Sequence, residues 1–299
     1  MTNLVTLTRV RMQLALRNKM FFFFSVIMPL GFFFLYAGVF AKGYPRAVSF
    51  FLGPVLALNV MGSFWGLSAT LVMFREQGIL RRFHVAPVSS SDMLASSVLA
   101  NFVLTLPTVV VILLLARFVF HVHNLGNLVS AAFFVCVGTV AFGSLGLVVA
   151  SITNTMQETQ VLNQLLWLPL IFLSGATMPL AYLPKMVQGF AVFLPATYLV
   201  TGLQQATFSS KPIHELFVYF FALVFWAILS FFVASQLFRW EPETKIPRNA
   251  KLWAAATILP FILLGIWEHG NGKMLMEAQA AYRAISSPDN GATQETPKN

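Results

Sequence analysis

The residues best placed to do chemistry lie in a short charged segment, residues 74–91, which separates two long apolar runs. Glu76, Arg81 and Arg82 lie close together in it, and Pro87 and three serines follow them. A carboxylate and two guanidinium groups on one exposed segment can orient a partner protein through ion pairs. Taken alone, however, Arg81 and Arg82 are better explained as basic anchors beside a membrane-spanning helix.

A second polar feature follows the fourth apolar run. Asn154, Gln157, Gln160 and Gln164 recur at spacings of three and four residues, so on a helix they share one face. Two interpretations stay open. The stripe lines a polar entrance to a transport path, or it forms hydrogen bonds between helices of one chain.

The chain contains no motif of a hydrolytic or nucleotide-binding enzyme. GxxxxGK[ST], HExxH and GxSxG are absent, so the sequence predicts neither an ATP-binding P-loop nor a protease or esterase site. His121 and His123 form an HxH pair without a third ligand, which indicates a loop surface rather than a metal site. The apolar runs are nearly free of acidic residues, which argues against a proton- or sodium-coupled transporter. We therefore expect no catalytic residue, metal or cofactor in this chain.

The composition is that of an integral membrane protein. Of 299 residues, 58% are hydrophobic and only 10% are charged, whereas a soluble domain carries about 25% charged residues. The net charge of +9 raises the question of nucleic-acid binding. The basic residues flank apolar runs, as topology determinants do, so we expect no nucleic-acid partner. The single cysteine, Cys136, excludes an intrachain disulfide.

Hydropathy predicts an all-α fold, since a spanning helix needs about 20 mostly apolar residues. Six segments meet this requirement: 20–40, 50–73, 93–119 (interrupted by Pro107), 128–152 (with a GSLG segment suited to close packing), 159–177 and 213–238. A shorter apolar segment, 252–267, predicts a seventh transmembrane helix, with an interfacial or hairpin helix as the alternative. Prolines divide the stretch after the fifth span into pieces too short to cross, which is typical of a re-entrant hairpin.

Charge predicts the orientation. With the N-terminus in the cytoplasm, most Lys and Arg residues fall on the inner side, as the positive-inside rule requires. Residues 74–91 are then cytoplasmic, and the proline-rich hairpin lies outside. The predicted organisation is an amphipathic interfacial helix, a six-helix transmembrane domain, a charged connector with the seventh helix, and a polar, partly disordered tail: residues 1–19, 20–238, 239–267 and 268–299.

Two separated stretches resemble the permeases of the ABC-2 type transporter family. The first is FREQGILRRFHVAPVSSSDMLAS, where the resemblance lies in an acidic residue, a glycine, a leucine, a basic pair and Pro-x-Ser: Glu76, Gly78, Leu80, Arg81, Arg82, Pro87 and Ser89. The second is similar to the fifth helix and outer hairpin of that family, through Pro169, Ser174, Gly175, Pro179, Leu183, Pro184, Leu194, Pro195 and Tyr198. The resemblance covers about residues 2–238.

The resemblance implies a six-helix permease that forms a homodimer, contacts membrane lipid and works with separate ABC ATPase subunits, which use ATP and Mg²⁺. Residues 74–91 would be the coupling helix, with ion pairs from Glu76, Arg81 and Arg82 and apolar anchors at Leu80 and Phe83. A translocation path between protomers would run beside spans 1 and 5. Its implied residues are Gln157, Gln160, Gln164, Ser174 and Gly175, with the Phe residues of 21–24 and 32–34 nearby. The hairpin with Pro179, Pro184, Pro195 and Tyr198 would be an outer gate.

The function implied is export of a drug-like or lipid-like amphiphile across a bacterial inner membrane. Export of lipid-linked polysaccharide by the same architecture is the alternative, and a non-transporting membrane subunit is an alternative of another class. The chain departs from the family after Arg239, because a seventh span would place the C-terminus outside the cell.

Overall fold

A computed structural model describes residues 2–17, 26–80, 89–240 and 249–286, and every regular element in these ranges is helical. The α-helices are α1 (Thr2–Arg17), α2 (Met28–Leu35), α3 (Pro45–Met61), α4 (Ser63–Glu76), α5 (Ser90–Phe118), α6 (Leu128–Ile152), α7 (Met156–Leu173), α8 (Lys185–Ala191), α9 (Pro195–Thr207), α10 (Phe217–Leu237), α11 (Ala250–Ala256), α12 (Leu259–Asn271) and α13 (Lys273–Ser286). A π-helical turn, Tyr36–Phe40, continues α2, and short 3₁₀ turns form at Leu180–Tyr182 and Ile213–Leu216.

The all-helical membrane fold predicted from the sequence is confirmed. Five segments of the described chain are long and apolar enough to cross a bilayer: Pro45–Glu76, Ser90–Phe118, Leu128–Ile152, Ile213–Leu237 and Leu252–Asn271. Helices α8 and α9 form a further candidate, but a bend of 95° separates them. This bent pair occupies the position of the predicted hairpin.

Several boundaries differ from the prediction. The second span begins at Pro45 rather than at residue 50, because proline suits the first position of a helix. Helix α5 continues through Pro107, which was expected to interrupt it, since a long membrane helix tolerates the loss of one backbone hydrogen bond. Helix α7 ends at Leu173, so residues 174–177 lie in the following loop. Residues 18–25, including the Phe residues of 21–24 that were expected near the translocation path, lie outside the described residues.

Helix α6 is the centre of the bundle and packs against α3, α4, α5, α9 and α10. Gly146 allows the closest of these approaches, because a Cβ atom there would lie 2.3 Å from the carbonyl oxygen of Phe64 on α4. On another face, the rings of Phe142 and Trp226 meet edge to face at 5.1 Å and join α6 to α10. The GSLG segment therefore does pack closely, as small residues in membrane helices do.

The bundle has two ends, which position the functional residues. We call the end with Arg75, Glu76 and Arg239 the basic end, since α4, α6 and α10 all terminate there. We call the opposite end, with α8 and the loop 174–184, the hairpin end. Helix α1 packs along α5 at the basic end, where the Arg11 guanidinium lies 5.7 Å from the centre of the Phe74 ring. Burial lowers the pKa of Arg11 to about 10, so it stays charged at neutral pH.

Residues 249–286 run from the basic end to the hairpin end. Ala250 is buried in the same apolar cluster as Leu237 of α10, near the basic end. Further along, the Phe261 ring lies 5.3 Å from the ring of Trp226. Helix α13 then reaches the 3₁₀ turn Leu180–Tyr182. The predicted seventh helix therefore spans the height of the bundle as Leu252–Asn271, with a break just before Pro260.

Candidate functional site

A fully buried arginine ties together the helix ends at the basic end. Arg75, the penultimate residue of α4, is 0% exposed. Its Nη1 donates to the carbonyl oxygens of Ala150 (2.8 Å) and Thr153 (3.1 Å), and its Nε donates to that of Arg239 (3.2 Å). The last carbonyl groups of a helix carry partial negative charge and favour a cation. Arg75 thus fixes α4 to the C-terminus of α6 without needing a carboxylate.

Arg239, just after α10, binds the same helix end. Its Nη2 donates to the carbonyl oxygens of Ser151 (3.2 Å) and Thr153 (3.1 Å), and its Nη1 donates to Oδ1 of Asn154 (3.1 Å). Burial lowers the pKa of Arg239, while the nearby Glu158 carboxylate raises it. An arginine stays protonated under such conditions. The ends of α4, α6 and α10 are therefore held as one unit.

Glu76 connects the charged segment to the start of α7. Its Oε1 accepts a hydrogen bond of 2.8 Å from the backbone N–H of Met156, the first residue of α7. The same helix start is capped by Thr155, whose hydroxyl accepts from the N–H of Glu158 (3.2 Å). A carboxylate at a helix N-terminus is stabilised by the free N–H groups and by the helix dipole. This contact joins residues 74–91 directly to the helix of the polar stripe.

The other residues of the predicted coupling segment are only partly described. Gly78 takes a positive φ of 66°, which turns the chain after α4. Leu80 is fully buried in a cluster that includes Met93, so here it anchors the segment to its own bundle. Ser89 caps α5 by accepting from the N–H of Asp92 (3.0 Å). Residues 81–88 of the segment lie outside the described ranges, among them four predicted site residues: Arg81, Arg82, Phe83 and Pro87.

A cavity of about 600 Å³ lies beside this contact, between α2, α3, α4, α5 and α7. It extends from Leu58 and Trp167, halfway along the bundle, to Met73 and Met156 at the basic end. Met156 therefore belongs both to the cavity wall and to the hydrogen bond with Glu76. The charged segment therefore adjoins the cavity wall at two points, directly at Met73 and through the hydrogen bond to Met156.

The wall of the cavity combines aromatic rings with neutral polar groups. Phe32, Trp65 and Trp167 supply rings. The polar lining residues are Asn59, Ser63, Thr70, Asn101, Thr105 and Gln164. No charged side chain lines the cavity in the part of the protein that the structure describes. Such a lining suits an amphiphilic organic molecule.

The structure brings only part of the predicted path together. Gln164 lines the cavity, whereas Gln157 and Gln160 are exposed on the same helix nearer the basic end. Ser174 and Gly175 lie at the hairpin end, away from the cavity, where both are buried. Gly175 has a φ of 88°, and the N–H of Ala176 donates to the Ser174 hydroxyl at 3.3 Å.

The second interpretation of the polar stripe, bonding between helices, is realised by a neighbour. Asn163, one residue before Gln164, exchanges hydrogen bonds of 2.7 and 3.1 Å with the hydroxyl of Ser68 on α4. No hydrogen bond to the side chains of Gln157, Gln160 or Gln164 occurs within the described residues. Asn154, at the start of the stripe, also makes such a bond, since its Oδ1 accepts from Arg239 after α10. The bonding role is thus shared by one member of the stripe and by Asn163, which the three- and four-residue spacing did not single out.

The prolines of the hairpin sit at element boundaries. Pro179 precedes the 3₁₀ turn, Pro184 is the N-cap of α8, and Pro195 is the first residue of α9. Tyr198 is buried, with its ring 5.2 Å from that of Phe261. The gap at this end, between Pro54, Gly175 and Gln204 among others, has no room for a water molecule. The hairpin end is therefore closed while the cavity lies toward the basic end.

Sequence reasoning missed two kinds of residue here, a buried arginine and two isolated amides. Arg75 counted only as a basic residue of a loop, although it directly follows an apolar run, and this position is the signal for a buried cation. Asn59 and Asn101 are isolated amides inside apolar spans. A polar side chain at membrane depth is expensive, which is itself a sign of function.

Comparison with known proteins finds a matching family model and several relatives. The family model described as "ABC-2 type transporter" matches residues 2–208. The relatives include ABC transporter G family member 20 of Dictyostelium discoideum, 28% identical over 56% of this chain, and the linearmycin resistance permease protein LnrN of Bacillus subtilis, 27% identical over 50%. The aligned parts cover only 23% and 38% of those two proteins. The putative transport permease YvfS of Bacillus subtilis is 22% identical over 67% of this chain and 84% of its own length. No solved structure matches the chain.

Proposed function

The chain belongs to the ABC-2 type transporter family, and from this premise we propose that it is the permease subunit of an ATP-driven exporter. Permeases of this family pair with separate ATPase subunits. ATP and Mg²⁺ accordingly bind to the partner and not to this chain. The transported molecule is a drug-like or lipid-like amphiphile, and the membrane is the cytoplasmic membrane of a bacterium.

The observation that carries this proposal is the hydrogen bond between Glu76 and Met156. An ATPase that closes on ATP pushes on residues 74–91. The push reaches α7 through Glu76, and α7 forms one wall of the cavity. Arg75 and Arg239 provide the fixed support, because they hold the ends of α4, α6 and α10 together. Movement of α7 against this unit changes the shape of the cavity.

The state of the two ends supports export rather than import. The cavity lies in the half of the bundle next to the basic end, while the hairpin end is closed. Under the positive-inside rule the basic end faces the cytoplasm. A cavity on that side takes its substrate from the cytoplasm or the inner leaflet. Opening of the hairpin then releases it outside.

Homodimer formation is supported by an exposed apolar face on α7. Val161, Leu165, Leu168 and Phe172 are exposed and recur every three or four residues, so they form one stripe. The cavity lies beside this helix, and a second copy packed on the stripe would cover it from the side. The substrate class has separate support, since one relative is named for linearmycin resistance.

Affinity purification from cross-linked bacterial membranes tests the proposal. We expect an ABC ATPase to co-purify with this chain, and amphiphiles to stimulate its ATP hydrolysis. Inside-out vesicles that contain both proteins should take up such a compound only when ATP and Mg²⁺ are present. Recovery of the chain without an ATPase, or uptake that is independent of ATP, would contradict the proposal.

A further inference from the structure

We infer that the cavity binds amphiphiles that carry no net charge and whose polar groups hydrogen-bond to Asn59, Ser63 and Asn101. The inference rests on the proposed export function and specifies the chemical class of its substrate. It excludes anionic substrates, such as a glycan linked to lipid through phosphate.

Unsatisfied polar groups on the cavity wall support a hydrogen-bonding ligand. Asn59 is 8% exposed and borders the cavity, yet its Nδ2 has no partner among the described residues. The same is true of Ser63 Oγ and Asn101 Nδ2. Buried polar groups without partners cost free energy, and native proteins rarely leave them so. A ligand with amide, ester or hydroxyl oxygens would supply the missing partners.

Other polar groups on the same helices are bonded within the protein. Ser68 bonds to Asn163, and the hydroxyls of Thr70 and Thr105 donate to backbone carbonyls of their own helices. Only some side chains at the cavity are left without partners, while those bonded within the protein need no ligand. Buried groups without a partner also occur elsewhere in the described bundle, such as Ser144 Oγ, Ser230 Oγ and Trp226 Nε1. Asn59, Ser63 and Asn101 differ from these because all three lie on the wall of one cavity, where a ligand can reach them.

The charge distribution decides between a neutral and an ionic ligand. The described wall has no Lys, Arg, His, Asp or Glu, and its rings are apolar. Two nearby charges are already engaged, since Arg75 binds the end of α6 and Glu76 binds the start of α7. An ion moved from water into such a cavity finds no opposite charge to offset its lost hydration. Attraction between a cation and the aromatic rings offsets only part of this desolvation penalty. The volume of about 600 Å³ falls within the range of drug-sized ligand sites.

A matched ligand series tests the inference on the permease–ATPase complex in nanodiscs. Three amphiphiles with the same hydrocarbon tail carry a neutral amide, a carboxylate or a quaternary ammonium group. Stimulation of ATP hydrolysis and the change in tryptophan fluorescence report binding. We expect the neutral compound to act at a concentration at least about tenfold lower than either ion, because only the ions lose the hydration of a full charge on entering the cavity.

Substitutions of Asn59 test whether the preference for the neutral compound arises at the cavity wall. Asn59→Leu should raise the half-saturating concentration of the neutral amide about tenfold, whereas Asn271→Leu, at an exposed position of α12, should leave it unchanged. Asn59→Asp should shift the preference toward the ammonium compound, and this holds as a test even if the leucine variant folds poorly. Equal binding of all three compounds, or no shift in the aspartate variant, would overturn the inference. The export function would still stand if ATP-driven uptake persists.

A separate set of contacts supports a second proposal: we propose that α12 and α13 form a strap that holds the hairpin end closed. Both helices follow the region matched by the family model, which ends at residue 208. Helix α12 packs against the hairpin through a glycine, because a Cβ atom on Gly265 would lie 2.3 Å from the Phe193 ring. The His269 ring also comes close to Gly189 of α8.

Helix α13 holds the other side of the hairpin. Ala278 packs in one cluster with Leu180 and Ala191. Tyr282 donates a hydrogen bond to the hydroxyl of Tyr182, and the two rings meet at 4.7 Å. The hairpin is thus enclosed between α12 on one side and α13 on the other.

Polar contacts attach the strap to the bundle. Glu277 accepts from Nζ of Lys211 (3.0 Å) and from the hydroxyl of Tyr219 (2.9 Å). The turn between α12 and α13 is set by Gly272, whose φ is 63°, and by the buried Glu268 carboxylate, which accepts from the N–H of Met274. The strap therefore has a defined angle and a fixed attachment. Outward movement of the hairpin must break these contacts.

Hydrogen exchange in the hairpin tests the strap. In the double variant Glu277→Ala/Tyr282→Phe, amides of residues 180–191 should exchange about tenfold faster, because local opening costs less free energy. Preloaded vesicles should also lose substrate faster in the absence of ATP. Met276→Gln, at an exposed position of α13, should change neither quantity. Unchanged amide exchange in residues 180–191, or faster exchange without faster substrate loss, would overturn the role of the strap. ATP-driven uptake by the same variant reports separately on the export function.

Discussion

Replacement of Arg75 by methionine should destabilise the protein by about 3 kcal/mol. Each hydrogen bond to a charged group contributes about 1.5–3 kcal/mol, and Arg75 makes three with backbone carbonyls of residues 150, 153 and 239. Relief of the repulsion between Arg75 and Arg239 offsets part of this loss. Thermal unfolding in detergent, followed by tryptophan fluorescence and size-exclusion chromatography, measures the change.

Two further variants separate the contribution of geometry from that of charge. Arg75→Lys keeps the charge but replaces a planar group that donates in several directions by a single ammonium. Its stability should therefore lie between that of the unmodified protein and that of Arg75→Met. Arg46→Met removes an exposed arginine near the hairpin end and should leave the unfolding temperature unchanged. If Arg75→Met unfolds at the temperature of the unmodified protein, the arginine pair does not hold the basic end together.

Replacement of Glu76 by alanine should uncouple ATP hydrolysis from transport while the protein remains folded. The carboxylate accepts one hydrogen bond from the N-terminus of α7, and loss of such a cap costs only about 0.5–2 kcal/mol of stability. Loss of a coupling free energy of 1–3 kcal/mol corresponds to a reduction of about 5–150-fold in the linked process. We therefore expect at least about fivefold less ATP-dependent uptake at similar ATP hydrolysis.

The controls for this variant keep one property of the side chain at a time. Glu76→Gln retains an oxygen that accepts the Met156 N–H but loses the charge, so uptake should be intermediate. Glu215→Ala removes an exposed carboxylate at the hairpin end and should transport normally. Adding Arg81→Ala to Glu76→Ala should reduce uptake further if that arginine also binds the ATPase. Normal uptake by the double variant would remove the coupling role of residues 74–91.

These two predictions concern adjacent residues with different partners. Arg75 is buried in the bundle and binds the ends of α6 and α10. Glu76 is exposed and binds the start of a helix that borders the cavity. Two consecutive residues thus bind different parts of the bundle. We therefore expect Arg75→Met to lower the unfolding temperature, and Glu76→Ala to lower ATP-dependent uptake.

Local composition was sufficient to identify the class of protein and most of its helices. Apolar runs of spanning length, with basic residues at their ends, leave few alternatives to a helical membrane protein, because backbone groups must be satisfied within the helix. The bend at the hairpin was also predictable from backbone hydrogen bonding, because proline has no N–H to donate and so favours the start of a helix over its interior. Pro184 and Pro195 each stand at the start of a helix, where the missing N–H costs nothing.

Only the tertiary structure decided which polar residues matter and what they bind. The spacing of the glutamines showed that they share a face, but the packing of α7 against α4 placed Asn163 on Ser68 and Gln164 on the cavity. In the sequence, Arg75 is only one basic residue of a charged segment. In the structure it is buried and bound to the end of α6, which lies 75 residues further along the chain. Periodicity describes one helix at a time, whereas burial and hydrogen-bond partners depend on contacts between helices that are distant in sequence.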